Sequence, residues 1–490
     1  MSSKVTRRRF LSRTAAAAGV AFAGPSLFDL EELFAQPNWV RPDIATASAS
    51  IITGYKTAIT AMRALPASNP RSWAYQAAIH GTTVMPALTA WNTCQHGNFF
   101  FLSWHRMYLY WFERIVRSMS GVPSWALPFW NYRPTPADPA AANRVLPLPF
   151  RNPANATNPL FTANRNATIN NGTGSLSATI CDPSVALAQT AFTGPAVNFG
   201  GNPSGSGQLE NRPHNNVHVA IGGWMGDPRT AAQDPIFWLH HANIDRYWNV
   251  WLKQGGGRAD PTNNTTWRNR VFTFFRENGT QVTMTACDIL NASAQLHYTY
   301  AGEPPQVTQS CPPVIKFPPL QVIERPIRIP IPDPEMVIGE ARAVTRVMQM
   351  KAVPPEILRD AKAAVAAPDK NLILNFATVQ ADAQPGAVFE VWVGPEGTPG
   401  PGVAGSHHLG DIALFAQGIR GVSHQGEEKA SFSFKLDDAV APALARGAAD
   451  IRIAVIPTDP VDVGGKHGLK KPAAPLRITD MSVTVEEPRK

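Results

Sequence analysis

Residues 312–334 read PPVIKFPPLQVIERPIRIPIPDP, and the eight prolines in that stretch divide the chain. Proline fixes φ and donates no backbone hydrogen bond, so such a run favours extended, polyproline-like backbone and acts as a semi-rigid spacer. The texture differs on its two sides. From about 37 to 310 the chain is rich in tryptophan, helix-like stretches and Asn/Pro/Gly loops. Beyond it, the runs Ala387–Val393, Ala430–Leu436, Ile451–Ile456 and Leu476–Val485 read as strands, the first two by strict alternation. The expectation is a mainly α-helical domain over 37–310, a linker over 311–334 and a β-sandwich over 335–490.

Three helices stand out in the first part. Ile44–Leu65 is amphipathic and stops before Pro66. Trp104–Met119 repeats apolar residues at helical spacing with almost no breakers. Pro235–Lys253 starts with Asp234 in N-cap position and Pro235 in the first turn, and Gly255 follows its end. Between Pro134 and Gly207 the composition turns to Asn, Thr, Pro, Ala and Gly, which reads as a long surface excursion.

The net charge of +8 is uneven. Lys4, Arg7, Arg8, Arg9 and Arg13 supply five positives before any acid appears, so the remainder carries 8 − 5 = 3. No basic stripe interleaved with aromatics follows, which argues against nucleic acid as a partner. Arg7-Arg8-Arg9-Phe10-Leu11 before the mildly apolar run Thr14–Ala23 is a twin-arginine export pattern. Residues 1–35 are thus expected to be a signal and processing region, cut after Ala23 or nearer Ala35, with the product periplasmic or secreted. The apolar run is far short of the ~20 residues of a membrane span. That route carries folded proteins, often with a metal already inserted.

Of 12 histidines, eight lie between residues 80 and 297. His80 closes a helix before Gly81, His96 sits beside a Gly97-Asn98 turn, and His105 opens the Trp104 helix. His214 and His218, four apart, share one helical face. His240 and His241 are adjacent, so they project about 100° apart and only one can face a given metal. Any single buried histidine is most simply a hydrogen-bonded core residue. Six at these spacings inside aromatic helices are poorly explained that way. Imidazole sets suit copper, whereas structural zinc usually takes thiolates. Asp245, one turn beyond His241, needs a buried partner, with Arg106 or Arg246 the natural choices. Cys181, Cys287 and Cys311 are available for a disulfide. His407, His408, His424 and His467 are expected on the surface or in loops.

The segment His96-x4-Phe101-Leu-Ser-Trp104-His105-Arg106-x2-Leu109-x3-Glu113 resembles the first copper signature of tyrosinases. Asp234-Pro235-Ile-Phe237-Trp-Leu-His240-His241-Ala-Asn-Ile-Asp245-Arg246 resembles the second. The resemblance, strongest over about 75–255, implies a four-helix bundle with long loops holding a binuclear copper site of the type 3 class. It implies His80, His96 and His105 on copper A and His214, His218 and His241 on copper B, with His240 a neighbour. The metals would lie about 3.5–4 Å apart and act as one two-electron unit. Cys94-x-His96 resembles the cysteine–histidine thioether of fungal tyrosinases and molluscan haemocyanins. Glu210 and Asn215 resemble the pair that orients a water as base toward monophenols. The implied activity uses O2 to oxidise small phenols, turning o-diphenols into o-quinones and ortho-hydroxylating monophenols. Alternatives are a catechol or o-aminophenol oxidase without the monophenol step, or a haemocyanin-like oxygen carrier. The carboxy-terminal part resembles the β-sandwich that shields the active site in plant polyphenol oxidases.

Overall fold

The computed structural model describes residues 38–486 except 86, 136–140, 195–196, 304–308, 313–326, 332, 350–358, 360–370, 395–396, 423–427, 437–449 and 465–467. The twin-arginine terminus, most of the proline-rich stretch, His424 and His467 lie outside the described residues.

Five helices frame the first part: α1 (Ala49–Arg63), α2 (Trp73–His80), α3 (Phe101–Met119), α4 (Asn216–Ile221) and α5 (Ile236–Lys253). In α2, the Ser72 side chain accepts from the Tyr75 N–H, and the helix ends at His80 as Gly81 leaves in extended backbone. At α5 the Asp234 carboxylate accepts from the Ile236 N–H. Asp234 is itself gripped by Arg165, at 2.7 Å from both Nε and Nη2. α3 packs between α1 and α5, and 15 of its 19 residues are buried, including Trp104, Trp111 and Phe112.

The expected surface excursion over 134–207 is instead packed into the domain. Leu146, Phe150, Leu160, Ile169 and Leu176 in it are buried, and it contributes Arg165. Asn and Thr side chains bond local main chain here, as Asn166 does to Thr168, so order arises without periodicity.

Two short parallel strands, β1 (Trp39–Arg41) and β3 (Tyr298–Tyr300), bring Arg41 into the core. β2 (Gly174–Leu176) lies between them in sequence. Asp245 pairs with Arg106 at 2.5 Å, as one of the expected choices, and also with Arg41 at 3.3 Å. The hydroxyls of Tyr298 and Tyr300 donate to it at 2.6 Å each. Arg246 pairs with Glu303 instead. Cys287 and Cys311 form a disulfide across 24 residues, and Cys94 and Cys181 are buried thiols.

The carboxy-terminal part is a sandwich of two antiparallel sheets around one apolar core. Its strands are β4 (Ile327–Pro330), β5 (Met336–Ile338), β6 (Val344–Met348), β7 (Asn371–Gln380), β8 (Val388–Gly394), β9 (His407–Ile412), β10 (Ala430–Lys435), β11 (Ile451–Thr458) and β13 (Leu476–Glu486). One sheet runs β9-β8-β11-β6; the other runs β10-β7-β13-β4, with β5 also on β13. β4 falls inside the stretch read as linker. Between β11 and β13, β12 (Val461–Val463) leaves the sandwich and pairs with β2 of the helical part. β10 alternates buried and exposed, but β8 is buried almost throughout. Its Glu390, opposite Asp411 of β9, is buried and accepts from the Trp392 indole N–H at 2.8 Å. His407 is exposed and His408 half-buried on β9.

Candidate metal centre

Five separate segments deliver seven imidazoles to one place. His80 comes from the last turn of α2, His105 from the first turns of α3, and His240 and His241 from α5. His96 stands on the loop between α2 and α3, where Gly97 turns with φ +68°. His214 sits on a wide π-type turn, Glu210–Asn215, that opens into α4 carrying His218. Arg212 interrupts that turn with extended backbone because Pro213 follows it.

The rings of His80, His96 and His105 are 5.2–5.7 Å apart. Those of His214, His218 and His241 are 4.7–5.4 Å apart. The two sets meet where His105 stacks on His241, at 4.4 Å and 15°. Nitrogens of His214, His218, His240 and His241 lie within 4.8 Å of one another, as do those of His80, His105 and His241. The expected six are thus together, and His240 joins them.

Several rings are fixed from behind by oxygen at Nδ1. His80 meets the Pro228 carbonyl at 2.8 Å, His105 the Phe101 carbonyl at 2.8 Å and His218 the Met225 carbonyl at 2.7 Å. His214 meets Asn215 Oδ1 at 2.9 Å. Such partners select the tautomer that points a bare Nε2 forward, as metal-binding histidines require. The Nε2 atoms of His105 and His214 are buried and form no hydrogen bond among the described residues. Burial holds His214 down at about 3, against the pull of Asn215 and the Glu210 carbonyl. Burial and neighbouring imidazoles push His105, His218, His240 and His241 well below the usual range. They stay neutral at physiological pH, the state that ligates a metal.

Cys94 Sγ lies 3.2 Å from His96 Nδ1. Glu210 is buried, and its Oε1 accepts from the Gly97 N–H at 2.7 Å, tying the His96 loop to the His214 turn.

The sandwich reaches into this centre through residues that no sequence pattern singled out. Phe415, just beyond β9, stacks on His218 at 3.8 Å and 18° and stands edge-on to His96 and His214. Asp411 accepts from Arg212 at 3.2 Å, Asn216 at 2.9 Å and its own strand's His408 at 2.9 Å. Gln417 lies so near Gly97 that a Cβ there would fall 1.1 Å from its Nε2. Gln384 Nε2 bonds the carbonyls of both Gly226 and Leu414 at 2.9 Å.

Residues 70–254 match the common central domain of tyrosinase, and residues 261–310 match the middle domain of polyphenol oxidase. The chain carries the central and middle domains of the tyrosinase and polyphenol oxidase family. It is 37% identical over 300 residues to tyrosinase HcTyr1 of Hahella sp. (strain CCB-MM4), covering 53% of this chain and 62% of that protein. It is 33% identical over 288 residues to the latent polyphenol oxidase of Prunus armeniaca, covering 50% and 45%. The chain therefore spans less than two thirds of the length of these curated relatives. The solved structure of latent apple tyrosinase shares the fold across both parts, with TM-score 0.60, 22% identity and coverage of 92% and 98%. The family is a binuclear copper family, and two linked sets of neutral, buried imidazoles fit such a cofactor. Among the described residues no helix is long and apolar enough to cross a membrane.

Proposed function

We propose that the chain is an exported phenol oxidase that uses O2 to convert o-diphenols to o-quinones. The observation that carries this is the junction of two imidazole sets at the His105–His241 stack, which calls for paired metals rather than one. His80, His96 and His105 would hold copper A; His214, His218 and His241 would hold copper B. When bound, the pair exchanges two electrons between phenol and dioxygen. The chain's own residues orient the imidazoles through Pro228, Phe101 and Met225, keep them neutral, and exclude water with Phe237, Trp104 and Tyr108, all buried around them. Elemental analysis should find two copper ions per chain, with oxygen uptake on catechol. A chain that binds copper as a single ion, or fails to consume oxygen, overturns the reading.

Ortho-hydroxylation of monophenols would need a base, and Glu210 with Asn215 is the proposed holder of a water for it. A second reading, oxidation of o-diphenols or o-aminophenols alone, is favoured by one observation. Asn215 Oδ1 is engaged with His214, and Glu210 Oε1 with Gly97. Asn215→Ala separates the two: selective loss of tyrosine over catechol turnover supports the base, and equal retention removes it. Sustained turnover in the same catechol assay would exclude reversible oxygen carriage.

The Cys94–His96 approach supports a thioether. Its formation removes the thiol hydrogen and a ring C–H hydrogen, two electrons and two protons that dioxygen accepts. Intact-mass analysis should show the chain two hydrogens light after aerobic copper loading, and not so in Cys94→Ser. The sandwich acts as a shield through Phe415, whose ring occupies the space over His218 where a phenol would approach.

A further inference from the structure

Two residues of the helical part that flank His214 hold an acid of the sandwich. Arg212 precedes His214 by two positions and Asn216 follows it by two. Arg212 Nη1 donates to Asp411 Oδ2 at 3.2 Å, and Asn216 Nδ2 donates to the same oxygen at 2.9 Å. All three residues are buried. Burial alone would raise the Asp411 carboxyl, but Arg212, His408 and Asn216 outweigh it and hold it below the usual carboxylate range. His408 belongs to β9 itself and bonds the other oxygen, Oδ1, at 2.9 Å. Arg212 is aimed from behind by its own domain, since its Nε donates to the Asp182 carbonyl at 3.1 Å. The Asp182 carboxylate stands farther off, 3.7 Å from Nη2, and takes the Ser184 N–H at 3.0 Å and hydroxyl at 2.7 Å. Asp411 is therefore the close anion of Arg212. Four residues beyond it, the Phe415 ring lies 3.8 Å from His218 and 5.6 Å from His214. One short segment thus sets an aryl ring against the imidazoles and a carboxylate in a buried two-donor cradle beside them. A guanidinium and an amide that converge on one oxygen suit an anion, and the planar fork of arginine matches a carboxylate.

We propose that Arg212 and Asn216 form a carboxylate subsite, so that the phenols this chain prefers carry an acid on a short side chain. Asp411 fills that subsite and Phe415 the ring position while the sandwich is in place. This rests on the phenol oxidase reading above and names its substrate class. When the sandwich parts, Asp411 and His408 leave together, whereas Arg212 and Asn216 stay with the helical part and lack an anion. A buried cation left without its partner is unfavourable, and a substrate carboxylate restores the pair. Arg212 and Asn216 then set the orientation of the ring over His218 and decide which phenol is held.

The test uses the full, copper-loaded chain opened at both positions, D411A/F415A, in which β12 still joins the sandwich to β2. The first probe is hydrocinnamate, which has the ring and the acid but no hydroxyl to oxidise, set against its uncharged amide. The acid should raise the unfolding temperature, as a ligand of the folded state does, and the amide should not. Adding R212Q should abolish the difference. Oxygen uptake reads the same selectivity in substrates. Dihydrocaffeate should exceed its amide about tenfold in kcat/KM, the scale of one charge-assisted hydrogen bond, and R212Q should bring the ratio toward one. R212K should recover part of the ratio, which an arginine that only joined the two parts would not. Where the double variant does not fold, the same compounds are compared on wild type and R212Q after mild denaturant has parted the sandwich. A chain that takes acid and amide alike overturns the proposal. So does one that keeps its preference for the acid in R212Q, because the carboxylate then binds elsewhere. A chain that oxidises neither compound, nor catechol, overturns instead the reading on which the proposal stands.

Discussion

Asp245, one turn beyond His241 on the same helix, accepts four donors, from Arg106, Arg41, Tyr298 and Tyr300. Burial alone would raise its pKa, but Arg106 and Arg41 outweigh that and hold it below the usual carboxylate range. Its stabilising effect is therefore complete above the unfolded value of ~3.9 and is lost only as pH falls through the lower folded value. Asp245→Asn leaves two buried guanidiniums short of a charge, and a loss of about 3–5 kcal/mol is expected in chemical denaturation. A variant as stable as wild type would show that the network is neutral to the fold. The imidazoles act in the same direction, in a higher pH range. His105, His214, His218, His240 and His241 are held neutral when folded but take up protons near ~6.5 once unfolded. The unfolded chain then binds more protons, so metal-free protein should gain stability as pH rises through that value. Melting curves of the metal-free chain between mildly acid and mildly alkaline pH check the sign.

At the scale of elements, the segment from β9 to Gln417 lies against the centre, bound at Asp411, at Leu414 through Gln384, and beside Gly97. Phe415→Ala removes the stacked ring, and a face-to-face aromatic contact is worth about 0.5–1.5 kcal/mol beyond its buried area. Catechol turnover should rise severalfold without proteolysis, and unchanged turnover would remove Phe415 from the shield. Asp411→Asn should act in the same direction by leaving Arg212 to its longer pairing with Asp182 at 3.7 Å. The helices and most strands were legible because apolar spacing records which face is buried. Six of the seven clustered imidazoles could be picked out as candidate ligands because binding a metal demands a fixed pattern of donors. The role of 134–207 was not, since Asn and Thr side chains order it without any period. Nor was Phe415, because a contact between distant segments leaves no trace in local spacing. Arg41 escaped for the same reason: a three-residue strand paired to residues 298–300 carries it in.

For the molecule as a whole, the sandwich is joined to the helical part by more than its covalent link. β12 forms a three-residue ladder with β2, and the Arg212–Asp411–Asn216 cluster adds buried charge-assisted bonds. Cleavage within 313–326 should therefore yield two fragments that co-elute on size exclusion and stay slow on catechol until mild denaturant parts them. Immediate full turnover on cutting would show that the tether, not the interface, holds the parts together. The bridge from Cys287 to Cys311 decides what such a nick leaves behind. With Cys311 stitched to the body just ahead of the cut, the new carboxy end has almost no slack. Once denaturant has parted the sandwich from it, the helical part would keep its seams closed, and only a reductant would let that end unravel.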